Sequence, residues 1–140
     1  MSKFFSTGIS SKTSYNLATL LLRIGLGAVI VYSHGWEKIS KFSEMQGGFV
    51  NFLGMSSSVS LSLSLFAEFV CGIFLIFGLF TRAAVILLII NMATALTMAH
   101  DWAIFTDGQL PFVFFTGFVV LLLLGPGKIS LDSLIFKKGR

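Results

Sequence analysis

Residues 61–99 read LSLSLFAEFVCGIFLIFGLFTRAAVILLIINMATALTMA. Two apolar runs, about 61–80 and about 82–100, are joined through Gly78-Leu79-Phe80-Thr81-Arg82, a link too short for anything but a tight hairpin. A membrane helix needs about 20 mostly apolar residues, with a working range of roughly 17–25, and both runs reach it. The hairpin therefore predicts two antiparallel spans, with Thr81 placed to cap the second through its hydroxyl. Outward from this core the pattern repeats. A run over about 16–34 holds one charge, Arg23, and a shorter run over about 110–124 opens with Pro111, which a first helical turn tolerates. Gly125-Pro126-Gly127 stops that last helix. Between the first two spans, Phe42, Met45, Phe49, Phe52 and Leu53 recur at helical spacing, which predicts a short amphipathic helix over about 42–54 lying in the membrane interface, with Gly47-Gly48 as its weak point. The fold class is all-α: an integral membrane four-helix bundle in a single domain spanning residues 1–140.

Composition agrees. The 140 residues are 55% hydrophobic and 11% charged, against roughly 25% charged in an average soluble domain. The 16 Phe exclude disorder, which needs the reverse composition. A lone Cys71 in an apolar run can form neither an intrachain disulfide nor a CxxC couple, nor hold an iron–sulfur cluster by itself, so thiol-relay chemistry is excluded. Polar residues over the first 15 positions, and no A-x-A-like cleavage site after the first run, predict an uncleaved anchor.

The net charge of +4 resolves into topology rather than nucleic-acid binding. Lys3, Lys12, Arg82, Lys128, Lys137, Lys138 and Arg140 fall on one side of the four spans, Lys38 and Lys41 on the other, and Arg23 inside. Basic loops stay cytoplasmic, so both termini are expected there, with the basic tail Lys137-Lys138-Gly139-Arg140 at anionic headgroups.

Charges at membrane depth are costly unless paired, which makes them functional candidates. At ~1.5 Å per residue, Arg23 lies about 12 Å, Asn91 about 14 Å and Glu68 about 18 Å from the cytoplasmic edge. An Arg23–Glu68 pair with Asn91 as third partner is expected. Such a pair either fixes helix register or holds a Glu68 that exchanges protons with a ligand, and the two readings are compatible. At the outer edge stand His34, Glu37 and Lys38, and then His100, Asp101, Trp102 and Asp107. His34 and His100 share a depth of about 27–28 Å. Their phases disagree: His34 keeps the face of Arg23, eleven residues before it, whereas His100 follows Asn91 by nine and points oppositely. That disfavours a shared metal or haem, and no metal site is assigned. Trp36 and Trp102 read as belt residues.

Phosphate loops, dinucleotide fingerprints, nucleophile elbows and HExxH are absent from the sequence. No intrinsic cofactor is expected. Redox work would require a bound quinone or a cofactor-bearing partner.

Taken in order, Arg23 and Gly25, Gly35-Trp36-Glu37-Lys38, Ala67-Glu68, Gly78-Leu79-Phe80-Thr81-Arg82-Ala83-Ala84, Gly125-Pro126-Gly127 and Ser130-Leu131-Asp132 form a pattern that resembles the DoxX family over about residues 17–134. The resemblance implies a four-helix bacterial inner-membrane protein associated with quinone-linked oxidoreduction, as a subunit of a redox complex or an accessory to one. It marks Arg23, Lys38, Glu68, Arg82 and Asp132 as the recurrent polar positions. The candidate ligand-binding set is Arg23, Glu68, Asn91, His34, Lys38 and His100, with Glu68 as the candidate proton-exchange group. Partners are the bilayer, a quinone and other membrane or peripheral redox subunits, and a homo-oligomer is compatible with the sequence. The competing reading is a non-catalytic assembly or interaction protein. A small transporter ranks lower, because no span is broken by Gly and Pro at its centre.

Overall fold

A computed structural model describes residues 11–137; Lys3, Lys138 and Arg140, counted above toward the basic side, lie outside them. The described residues form helices and no strand. Helix α1 runs Lys12–Ser40, α2 Phe42–Met45, α3 Ser57–Phe77, α4 Thr81–Ala99, α5 Gln109–Leu124 and α6 Leu131–Ile135. Three of these, α1, α3 and α4, are long and apolar enough to cross a membrane. Helix α5 has 16 residues, or about 24 Å, short of the ~30 Å hydrocarbon core.

Helix α1 is longer than the 16–34 expected. Ser11 starts it, accepting the Ser14 N–H at 3.1 Å, and Gly35 stays helical, so nothing ends it before Lys41. The amphipathic stretch over 42–54 does not form one helix. It divides into α2 and a 3₁₀ turn, Phe52–Gly54, because Gly47-Gly48 cannot support the helix between them. The intervening loop is tied to α3: Ser57 Oγ donates to the Phe49 carbonyl at 2.8 Å, and the Phe52 N–H donates to Ser60 Oγ at 2.9 Å.

The four long elements pack antiparallel in the ring order α1, α3, α4, α5 and back to α1. Their shared core centres on Ile30, Leu75, Val85, Leu88, Phe118 and Leu121, all fully buried. Glycines bring α1 and α3 together: a Cβ on Gly27 would lie 2.6 Å from Ile76 Cγ1, and one on Gly72 2.6 Å from Val31 Cγ2.

One end of the bundle is a knot of hydrogen bonds. The Gly78 turn has φ +67° and the Phe80 φ is +46°, and the carboxylate of Asp132 holds this turn by accepting the Phe80 N–H at 2.7 Å and the Thr81 N–H at 2.8 Å. Asp132 thus does the capping expected of Thr81, whose hydroxyl is buried without a partner. A hydroxyl on the first helical residue sits past the position from which it could reach back to the free N–H groups. The Asp132 N–H returns to the Gly78 carbonyl at 2.8 Å, and Lys128 N–H donates to Asn16 Oδ1 at 2.9 Å. Tyr15 donates to the Leu124 carbonyl.

Candidate functional site

Arg23 belongs to that knot. Its side chain is 1% exposed, Nη2 donates to the Ile129 carbonyl, and the guanidinium lies against Gly78, where a Cβ would run into Nη1. The expected Arg23–Glu68 pair is not formed. Gly35 faces Phe69 and Gly27 faces Ile76, so the register of α1 on α3 brings Arg23 level with Gly78 and leaves Glu68 level with the end of α1. About ten residues of α3, or about 15 Å, separate the two charges along the bundle. The estimate of depth from span edges failed because it set the start of α1 level with the hairpin, whereas the turns of α1 before Arg23 lie beyond Gly78, with Tyr15 on the Leu124 carbonyl and Asn16 on the Lys128 N–H.

Glu68 is paired instead with Lys38. Lys38 Nζ lies 2.5 Å from Glu68 Oε2, with the two side chains 11% and 5% exposed, and Asn91 Nδ2 donates to Glu68 Oε1 at 2.9 Å. Both carboxylate oxygens therefore accept from a neighbour, while two of the three Lys38 donors and one Asn91 hydrogen remain unengaged by these bonds. Lys38, counted in the sequence as an outer-loop charge, is a buried group of the bundle.

These residues face a cavity of about 530 Å³ between the halves of the helices away from the Gly78 turn. His34, Lys38, Glu68, Asn91 and His100 all line it, among an otherwise largely apolar wall that includes Phe49, Phe52 and Phe114. His34 packs edge-on against Phe114 at 5.8 Å between ring centroids, and its Nε2 is buried with no hydrogen-bond partner. The size and the few convergent polar groups in an apolar wall are those of a small-molecule site.

His34 and His100 line one cavity, contrary to the opposed phases expected. The cause is local. A π-helical turn occurs in α1 at Ile30–Gly35, in α3 at Phe66–Cys71 and in α4 at Ala95–Ala99. Each bonds i to i+5 and so holds an extra residue, which rotates everything beyond it relative to a uniform α-helix. Among the described residues no group of three or more His, Cys, Asp or Glu could hold a metal ion. The features not read from the sequence are the π-turns, Phe114 and the pairing of Lys38 with Glu68. Only Lys38 carried a signal: it follows His34 by four, the same-face spacing, once α1 is continued past residue 34.

The sequence model of the DoxX family matches residues 18–101. The chain belongs to the DoxX family. The DoxX match takes in His34, Lys38, Glu68, Asn91 and His100 of the cavity and stops before α5 and Asp132. With its apolar helices, it makes the chain a membrane protein. A curated relative, described as "Putative oxidoreductase CatD" of Bacillus subtilis (strain 168), is 28% identical over 127 residues, covering 89% of this chain and 91% of the relative. No solved structure matches the chain.

Proposed function

We propose that this DoxX protein is the membrane subunit of a quinone-linked oxidoreductase and that the cavity holds the quinone head group. The observation that carries this reading is a set of unengaged buried polar groups in an apolar cavity: Lys38 Nζ and Asn91 Nδ2 have hydrogens beyond those given to Glu68, and His34 Nε2 is unpartnered. A quinone presents two carbonyl acceptors on a flat apolar ring, which suits such a wall. Lys38 and His34 donate to the oxygens and Phe114 flanks the ring. Glu68, with both oxygens occupied, orients Lys38 and balances its charge rather than meeting the ligand first. The quinone supplies the electron-accepting chemistry when bound, and the electrons come from a cofactor-bearing partner. The "oxidoreductase" in the relative's description supports the class of reaction.

The location that goes with this reading is the bacterial inner membrane with the Arg82 hairpin cytoplasmic. Once Lys38 is buried, Lys41 is the remaining exposed basic residue of the outer end among the described residues, while Lys12, Arg82, Lys128 and Lys137 are exposed at the other.

The test is equilibrium binding of decyl-ubiquinone and of a menaquinone analogue to purified protein in lipid nanodiscs. Binding is expected to weaken at least about tenfold in His34→Phe and Asn91→Leu, equivalent to about 1.4 kcal/mol or more. Glu68→Gln is expected to weaken it as well. Wild-type protein that binds neither analogue sinks the proposal.

A further inference from the structure

The cavity wall is incomplete on one side. Leu63 and Phe66 of α3 and Leu87 and Ile90 of α4 line it, yet each is 41–48% exposed, so they belong both to the cavity and to the outer surface of the bundle. The helices themselves open this gap. From the hairpin up through Phe66–Cys71, α3 packs on α4, whereas Ser57–Leu65, the first half of α3, leaves α4 and packs on Trp36–Ser40 at the end of α1. Ala67, small and 5% exposed, lines the cavity beside Glu68.

Depth decides what lies outside. Counted from the hairpin ends of α3 and α4, Leu87 is about 9 Å and Leu63 about 21 Å along the bundle, inside a hydrocarbon core of ~30 Å. The gap faces acyl chains. Toward the water beyond the outer end, Phe49 and Phe52 cover the cavity, held there by Ser57 and Ser60.

We propose that the gap between α3 and α4 is a lateral portal, and that the ligand is a quinone carrying an isoprenoid chain. The head group passes Ala67 to reach Lys38, Asn91 and His34, and the chain stays in lipid over Leu63, Phe66, Leu87 and Ile90. This deepens the quinone reading of the same cavity and rests on it. A chain at this opening never leaves hydrocarbon, whereas access from the aqueous end would draw it past the loop and through water.

Two measurements separate the portal from the quinone reading. First, protein in nanodiscs is photolabelled with a decyl benzoquinone bearing a diazirine at the chain end, with excess untagged decyl-ubiquinone as competitor. Competed label on Leu63, Phe66, Leu87 or Ile90 is the expected result. Competed label on Phe49, Phe52 or Pro111 overturns the portal and leaves the quinone site standing. No competed label together with no equilibrium binding overturns both. Second, a single Trp is placed by Leu87→Trp in a Trp36→Phe, Trp102→Phe background and exposed to brominated acyl chains. Loss of its fluorescence is expected; an unquenched signal overturns the lateral opening whatever the ligand. The Leu63→Trp, Ile90→Trp double variant is further expected to slow association of decyl-ubiquinone while keeping the affinity for the chain-free head group.

Discussion

Lys38 and Glu68 show how a membrane interior treats charge. Each is tolerable because the other neutralises it and Asn91 fills the remaining carboxylate oxygen. Removing one partner leaves the other buried and uncompensated, which costs about 3–5 kcal/mol, whereas replacing both with apolar residues of similar volume costs far less. Lys38→Met and Glu68→Leu are therefore expected to be strongly destabilising singly and much milder together, in thermal or denaturant unfolding of the detergent-solubilised protein. A parallel cycle of Arg23→Met with Glu68→Leu should be additive within about 0.5 kcal/mol, since the two charges lie in separate clusters. Coupling in that second cycle and none in the first would restore the pairing that the sequence suggests. Arg23 was legible as a buried charge but not by partner, because its acceptor, the Ile129 carbonyl, lies 106 residues away and carries no side-chain signature.

At the scale of elements, glycines of similar appearance differ in consequence. Gly25 and Gly27 lie two apart in α1, yet a Cβ on Gly25 meets nothing within 4 Å while one on Gly27 runs into Ile76. Gly25→Ala is expected to be neutral or stabilising by up to about 1 kcal/mol through helix propensity. Gly27→Ala is expected to lower the unfolding temperature, because α1 and α3 must separate at a point fixed by the surrounding core. The hairpin makes the same distinction. Asp132→Ala removes the acceptor of two N–H groups and should cost about 0.5–2 kcal/mol, the range of a lost helix cap. Gly78→Ala should cost more, since it adds a side chain at φ +67° and sets it 2.5 Å from Ser130 Cβ. Equal melting temperatures for these two variants would contradict the account of the knot. Gly47-Gly48 was readable as a break, and the interfacial segment divides there. The three π-turns were not readable: one extra residue per turn leaves composition and hydropathy unchanged, and only packing against neighbours selects it.

For the whole molecule, the exposed basic residues sort to one end of the bundle more cleanly than the linear count suggests, since burial of Lys38 subtracts it from the opposite side. In a Cys71→Ser background, cysteines at Gln46 and Asp107 are expected to react with a membrane-impermeant maleimide in intact cells, and cysteines at Ser11 and Lys128 only after permeabilisation. The reverse pattern would invert the orientation inferred from charge. The apolar runs, their hairpin and the all-α class followed from sequence alone, because lipid demands that each span satisfy its own backbone, and that demand is written locally in about 20 residues. Which buried charge meets which was decided only by tertiary structure. It depends on helix register to within one turn and on π-turns that rotate side chains, and both are set by glycine contacts and core packing between residues far apart in the chain. Thus Glu68 was visible as a residue that lipid should exclude, while Lys38 as its partner, and the cavity they share with His34, Asn91 and His100, emerged only when the helices were assembled.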